Sequence, residues 1–304
     1  MIAQNSASPW NTIPKPRPAD WGFGMTVCIA AVCDGGLIGV SDRMISMSGY
    51  FSGDRMARKV DWMGGNWMSM LAGDDISQAI PIYETVGQLN PEKNLNSIVA
   101  ASKTAYKKQR IQIIEDSILP QYGLETMAEY KTIGKQVLAE DSQYELALRI
   151  KQCSIGCEFL ISGFDDEGDS HIFTLRNPGT CEFYNKLGFW AIGSGQQQAI
   201  SSLFASKYSR YDPIEYAISK ILGAKFTAES ATGVGKSTFT FLWKSDFDDL
   251  HWLDEDLEES IRKEWAAMPK YPTKVIEKIR TEFSNKVNPP AKQPLVSQMS
   301  VGQK

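Results

Sequence analysis

Residues 26–33 read TVCIAAVC, a run of β-branched, small apolar and thiol side chains without a single charge. A short apolar run of this kind, bounded by turn residues, is the pattern of a strand buried on both faces. Asp34-Gly35-Gly36 follows as a tight turn, and residues 37–41 return as a second strand. That is a hairpin signal. A polar, glycine-containing loop comes next, and residues 59–63, the turn Gly64-Gly65-Asn66 and residues 67–71 make a second hairpin.

The period then changes. Residues 75–86 and 94–114 carry apolar side chains at helical spacing, with Ile98, Ala101 and Ala105 on one face. Residues 115–151 read as further helix, broken near Pro120 and Gly123. Strands resume at 158–162 and 171–175 across the turn FDDEGDS, with shorter ones at 181–184 and 189–192. Ala199, Ile200, Leu203 and Phe204 mark the face of the next helix. The helix after it has Asp212 as N-cap, Pro213 in the first turn, Glu215 three residues on from the cap and Gly223 just past the end. Residues 238–243 are the last clear strand, and 252–285 are charged and helical. Hairpins, two helices, hairpins and two helices again do not make an alternating βα chain. The order predicts an α+β fold of antiparallel sheets with helices on the outer faces, an αββα layering.

Residues 1–24, with Pro9, Pro14, Pro16 and Pro18, read as an extended leader or a mis-assigned start, and 286–304 as a disordered tail. Between them the expected organisation is one domain over 25–250, with a helical insertion at about 115–151, and then C-terminal helices over 251–285.

Several function classes are disfavoured. An apolar fraction of 42% and a charged fraction of 22% are those of a globular chain. A net charge of -4 argues against a nucleic-acid surface, which wants a basic face. No apolar run approaches the roughly 20 residues that cross a bilayer, and the first 24 residues lack a secretory signal's charged start and apolar stretch. The expected address is cytoplasmic, with no membrane partner. Cys28, Cys33, Cys153, Cys157 and Cys181 suit reduced, buried thiols, and only His171 and His251 are present, so neither metal nor cofactor is expected. Residues 230–237, SATGVGKS, nearly spell the phosphate loop G-x-x-x-x-G-K-[ST]. Ser230 replaces the first glycine, and the segment leaves a helix and enters a strand, the reverse of a phosphate loop. A glycine-rich connection is the expectation there. Trp62, Trp67 and Phe51 are read as core.

MTVCIAAVCDGGLIGVSDR, Arg58-Lys59-Val60, Leu71-Ala72-Gly73, Ile192-Gly193-Ser194-Gly195 and ESATG at 229–233 occur in that order. Together, over roughly residues 25–245, they resemble the proteasome β-subunit family and its bacterial relatives, which are N-terminal nucleophile (Ntn) hydrolases. The resemblance implies a four-layer αββα Ntn-hydrolase sandwich and catalysis by Thr26. A threonine hydroxyl is a weak nucleophile and needs a base. At the first position of a chain the residue carries its own, because a free α-amino group has an ordinary pKa of about 7.7–8.0. Translation from Met25 would expose Thr26 by simple methionine removal, whereas translation from Met1 requires cleavage between Met25 and Thr26. Self-cleaving relatives usually have glycine just before the threonine. Here Gly24 lies one position too early.

By the same resemblance Lys59 sits beside the threonine, lowering the pKa of its amine and hydroxyl, and Asp42 orients Lys59. Gly73 offers a backbone N–H to the oxyanion, a donor worth about 2.7–4 kcal/mol, and its glycine would let the substrate backbone come close. Ser194 hydrogen-bonds near the terminal amine. Glu229 and Thr232 fall where the family has an aspartate and a serine that fix Ser194 and that amine. The plain alternatives are a surface ion pair for Asp42, a solvated strand edge for Lys59 and turn residues for Gly73 and Ser194. The implied function is a threonine-type amide hydrolase, a peptidase acting on peptide or protein substrates. It would work in a homo-oligomeric ring, with an ATP-dependent unfoldase as a candidate partner. Two alternatives stand beside it: a catalytically inactive structural subunit, if residues 1–25 stay attached, and an Ntn amidase for small amides.

Overall fold

A computed structural model of the protein describes residues 26–47, 51–54, 58–73, 76–244, 250–268, 274 and 277–278. The expected leader and tail lie outside the described residues. The chain divides into two units, Met1–Arg262 and Lys263–Lys304. The second holds the end of the last helix and helical residues at 274, 277 and 278.

β1 (Cys28–Cys33) and β2 (Gly36–Asp42) pair antiparallel, from Cys28 opposite Ser41 to Cys33 opposite Gly36. The two-residue turn between them needs left-handed backbone, and Gly35 supplies it at φ +73°. This hairpin is the centre of the first sheet, whose order is β10 (Phe189–Ile192), β1, β2, β11 (Thr238–Lys244), β12 (Leu250–Trp252). The second sheet runs in chain order: β5 (Val60–Gly64), β6 (Trp67–Gly73), β7 (Cys157–Phe164), β8 (Ser170–Arg176) and β9 (Thr180–Phe183).

Side chains alternate across a strand, so each apolar run serves two cores. Ile29, Ala31 and Cys33 of β1 face α6 (Gln196–Ala205) and α7 (Ile214–Ala228), meeting Ala199, Leu203 and Ile221. Cys28, Ala30 and Val32 face the other way, against Met68, Met70 and Ala72 of β6. Trp67 and Leu71 of β6 in turn face α1 (Ile80–Leu89) and α2 (Leu95–Ile113), through Ile82, Val86, Ile98 and Ala105. Helices, sheet, sheet, helices: the chain is an αββα sandwich of two antiparallel sheets, as its element order predicts. No described helix is long and apolar enough to cross a membrane, and all five cysteines are free.

The insertion has its own small core of Ile114, Leu119, Leu124, Leu146 and Cys153. It is built by a π-helical turn at 114–118 and by α3 (Met127–Thr132), α4 (Gly134–Val137) and α5 (Glu140–Gln152). Gly123, left-handed at φ +71°, makes the break expected there.

Four local expectations need correcting. The polar loop after β2 contains a two-stranded ribbon, β3 (Ile45–Met47) with β4 (Phe51–Gly53). The strand at 238–244 is not the last, because β12 adds to its edge before α8 (Glu255–Ala267). Gly223 lies inside α7 rather than past its end. The helix runs on because Ala224 and Ala228 keep packing against the first sheet, and burial outweighs the roughly 1 kcal/mol that an interior glycine costs. Asp212 does not cap α7, whose N-cap is Pro213.

Asp212 is instead a loop clamp, its Oδ2 accepting from Ser209 N–H (3.0 Å) and Lys220 Nζ (2.8 Å). Burial raises its carboxyl pKa, but these donors outweigh that and hold it below the ordinary value. A carboxyl depressed in the folded state contributes stability above its unfolded pKa, and that stability is lost as pH falls through the folded one. Asp212→Asn is therefore expected to lower Tm at pH 7, by the equivalent of about 1 kcal/mol. The gap from wild type should close as pH is taken below about 3.9, the ordinary aspartate value. Thermal melts of the two proteins across pH 3–7 check this; a gap that stays constant over that range would contradict it.

Candidate active site

Thr26 stands just ahead of β1, and Asp42 is the last residue of β2, so the hairpin register brings them side by side. Asp42 N–H donates to Val27 O (3.1 Å), and Val27 N–H donates to Asp42 Oδ1 (3.0 Å). Lys59 arrives from the other sheet, just before β5, anchored where its carbonyl accepts from Leu71 N–H (3.0 Å). Its Nζ donates to Asp42 Oδ1 at 2.9 Å and also to Thr26 Oγ1. Thr26 Oγ1 donates in turn to Asp42 Oδ1. Thr26 is thus a hydroxyl held between an ammonium and a carboxylate. The Asp42 side chain has no exposure and that of Lys59 only 4%, so this ion pair is out of water and costly to break. It is not the surface pair of the plain alternative. Asp42 is fully committed, since Oδ2 accepts from Met44 N–H and Gly235 N–H, both at 3.1 Å.

Ser194 sits in the turn between β10 and α6. Thr26 N–H donates to its Oγ (3.2 Å), whose own hydroxyl lies 3.3 Å from Thr26 O and 3.0 Å from Thr232 O. Gly195 N–H also donates to Thr26 O (3.1 Å). This closeness depends on Gly193, which has φ +90°, and a Cβ there would lie 2.4 Å from Thr26 O. The other thiol or hydroxyl nearby is Cys28, whose Sγ donates to Leu71 O (3.4 Å). Burial pushes that thiol up to about 12, so it stays protonated and inert.

The remaining site residues are placed differently from expectation. Gly73 closes β6, but its lack of a side chain serves the fold. A Cβ would lie 2.3 Å from Gly156 O and 2.5 Å from Cys157 Cα, so the start of β7 already leaves no room for a side chain here. Glu229 does not fix Ser194. Its longer side chain pairs with Lys225 Nζ (2.5 Å) and Arg262 Nη1 (2.7 Å). Thr232 meets Ser194 through its backbone carbonyl, and the residue itself is exposed.

The glycine-rich segment is indeed an anion cradle, for the chain's own carboxylates. Gly235 N–H serves Asp42, and the N–H groups of Lys236 and Ser237 both donate to Asp54 Oδ2 at 2.9 Å. It connects α7 to β11, as its context indicated. Gly235, Asp54, Lys225 and Arg262 were not picked out from sequence. One signal was available, because Lys225 and Glu229 stand at i,i+4 on α7, where opposite charges meet. Glu158 was missed too: its Oε1 accepts from Gly193 N–H (3.1 Å), tying β7 to the Ser194 turn, and burial raises its carboxyl pKa. Among the described residues no group of three or more His, Cys, Asp or Glu could hold a metal ion.

No family model and no curated protein sequence matches the chain. Solved structures do. Anbu (ancestral beta-subunit) from Yersinia bercovieri is similar at a TM-score of 0.56 and 13% identity, covering 82% of this chain and 100% of that one. Anbu (Gly-1) mutant from Hyphomicrobium sp. strain MC1 is similar at 0.55 and 14%, covering 85% and 96%. The resemblance to the proteasome β-subunit family is thereby corrected: the neighbours are Anbu proteins, proteasome-like but distinct, and identity this low carries the fold alone. The chain shares the fold of these Anbu structures.

Proposed function

We propose that this chain is a threonine-type N-terminal nucleophile amide hydrolase, working through Thr26 Oγ1 once the preceding residues have been removed. The observation that supports it is the buried hydroxyl of Thr26 between Lys59 Nζ and Asp42 Oδ1. The ammonium beside Oγ1 favours negative charge on that oxygen, in a dry site where such an interaction is strong. The freed α-amine takes the hydroxyl proton as Oγ1 attacks the amide carbon, then gives it to the departing amine. Gly73 N–H is assigned to the oxyanion. Water releases the acyl group and restores the hydroxyl. A peptide or protein substrate, a cytoplasmic setting and a homo-oligomeric assembly belong to this reading.

A second reading, an inactive structural subunit, is favoured by Glu229 pairing with Lys225 and Arg262 and leaving Ser194 to a backbone carbonyl. An electrophile that acylates N-terminal threonine, such as a β-lactone, separates the two. The enzyme is expected to take one label, on Thr26 by peptide mapping, and to turn over peptide substrates faster than small amides. A protein that begins at Thr26 yet takes no label is the inactive subunit. The reverse substrate preference makes it an amidase.

A further inference from the structure

Behind Asp42 lies a second charged cluster that the proposed chemistry does not use. Lys225, on the sheet-facing side of α7, is completely buried. An ammonium has three N–H donors, and all three are placed: Glu229 Oε1 at 2.5 Å, Gly235 O at 2.9 Å and Lys236 O at 2.7 Å. Arg262 supports the same loop from α8, reaching Glu229 Oε2, Lys236 O and Thr238 Oγ1. The carbonyls of Gly235 and Lys236 therefore point to cations. The amides of 235, 236 and 237 point the opposite way, to Asp42 and Asp54. Gly235 is thereby held at both of its polar groups, its carbonyl by Lys225 and its N–H by Asp42 Oδ2. The peptide planes that carry the Gly235 and Lys236 carbonyls present their own amides, those of Lys236 and Ser237, to Asp54.

We propose that Lys225 is a positioning residue of the threonine site: by holding the Gly235 carbonyl it anchors the residue whose N–H donates to Asp42 and so steadies the carboxylate that Lys59 and Thr26 share. This rests on the reading of Thr26 as nucleophile. A buried ammonium paired only for packing would matter to stability alone. One that orients Asp42 matters to the rate.

The test uses purified protein carrying Thr26 at its N-terminus, with β-lactone acylation followed by intact mass over a range of reagent concentrations. The variant is Lys225→Met/Glu229→Gln, which removes both charges together and avoids leaving one unpaired in the interior. Expected are an acylation rate at least about tenfold lower at saturating reagent and little change in the concentration giving half-maximal rate. A folded double variant with wild-type rate overturns the proposal. Should the double variant not fold, Lys225→Arg decides: it keeps the charge but not the three-way geometry, so a slower rate with unchanged half-saturation supports the role and a wild-type rate overturns it. Thr26→Ala is run alongside. If it is acylated as fast as wild type, the nucleophile reading has failed; if it takes no label while the Lys225 variants behave as wild type, only the positioning role has.

Discussion

Thr26→Ala is expected to abolish amide hydrolysis, lowering kcat by at least about 10³-fold, the scale seen when a nucleophile is removed from a preorganised site. Cys28 does not substitute for it, being a protonated thiol directed at the Leu71 carbonyl, and the Ser194 hydroxyl is engaged with the Thr232 carbonyl. The fold should be little affected. The Lys59–Asp42 pair remains at 2.9 Å, and Asp42 keeps its bonds to Val27, Met44 and Gly235. The lost hydroxyl contacts are worth on the order of 1 kcal/mol. Inactivity with a nearly unchanged Tm would thus belong to the chemistry. Thr26→Ser keeps both hydroxyl and amine and should retain most of the function. Initial rates on peptide substrates, with melting curves of the same preparations, check both; an alanine variant of comparable activity would mean that the nucleophile lies elsewhere.

Lys59→Met should damage both stability and rate. It strips the cation from a carboxylate that has no contact with solvent, and breaking a buried pair from one side costs about 3–5 kcal/mol. The lower end applies here, because Val27, Met44, Gly235 and Thr26 still donate to Asp42. A second substitution separates the two effects. Lys59→Met/Asp42→Asn removes the unpaired charge and should recover part of the stability, the remainder being lost where the amide NH2 faces backbone N–H donors, a coupling of the kind a double-mutant cycle measures. Activity should stay lost, because no ammonium remains beside Oγ1. Denaturant unfolding and turnover of the four proteins in the cycle give the result. Recovery of activity in the double variant would show that Lys59 serves only to neutralise Asp42.

How much of this was legible before folding depended on periodicity and on locality. The β1–β2 and β5–β6 hairpins carried strong apolar runs around glycine turns, and the helices of both outer layers repeated at helical spacing, so the layering could be written down. β3, β4 and β12 are three residues each, too short to show a period, and β12 exists because β11 offers it an edge. Thr26, Asp42 and Lys59 were found from motifs and do converge. Gly73 has a steric reason that a linear motif does not carry, because the backbone that excludes a Cβ is that of residues 156–157, reached only through sheet pairing. Glu229 was aligned with a role that Lys225 and Arg262 prevent it from playing. Those partners are a helical turn and 33 residues away, and charge pairing at the second distance is invisible in a linear motif. SATGVGKS was informative in an unexpected sense: the glycine-rich amides do bind anions, and Asp42 and Asp54 are the anions.

Everything proposed for Thr26 requires that its nitrogen be free. The direct measurement is the N-terminal sequence and intact mass of the protein isolated from the cells that make it. A chain beginning at Thr26 with an unblocked amine is the expected result. A chain still carrying Met25 and the residues before it would leave Thr26 N in a peptide bond, without the α-amine that the mechanism uses as base, and would contradict the account.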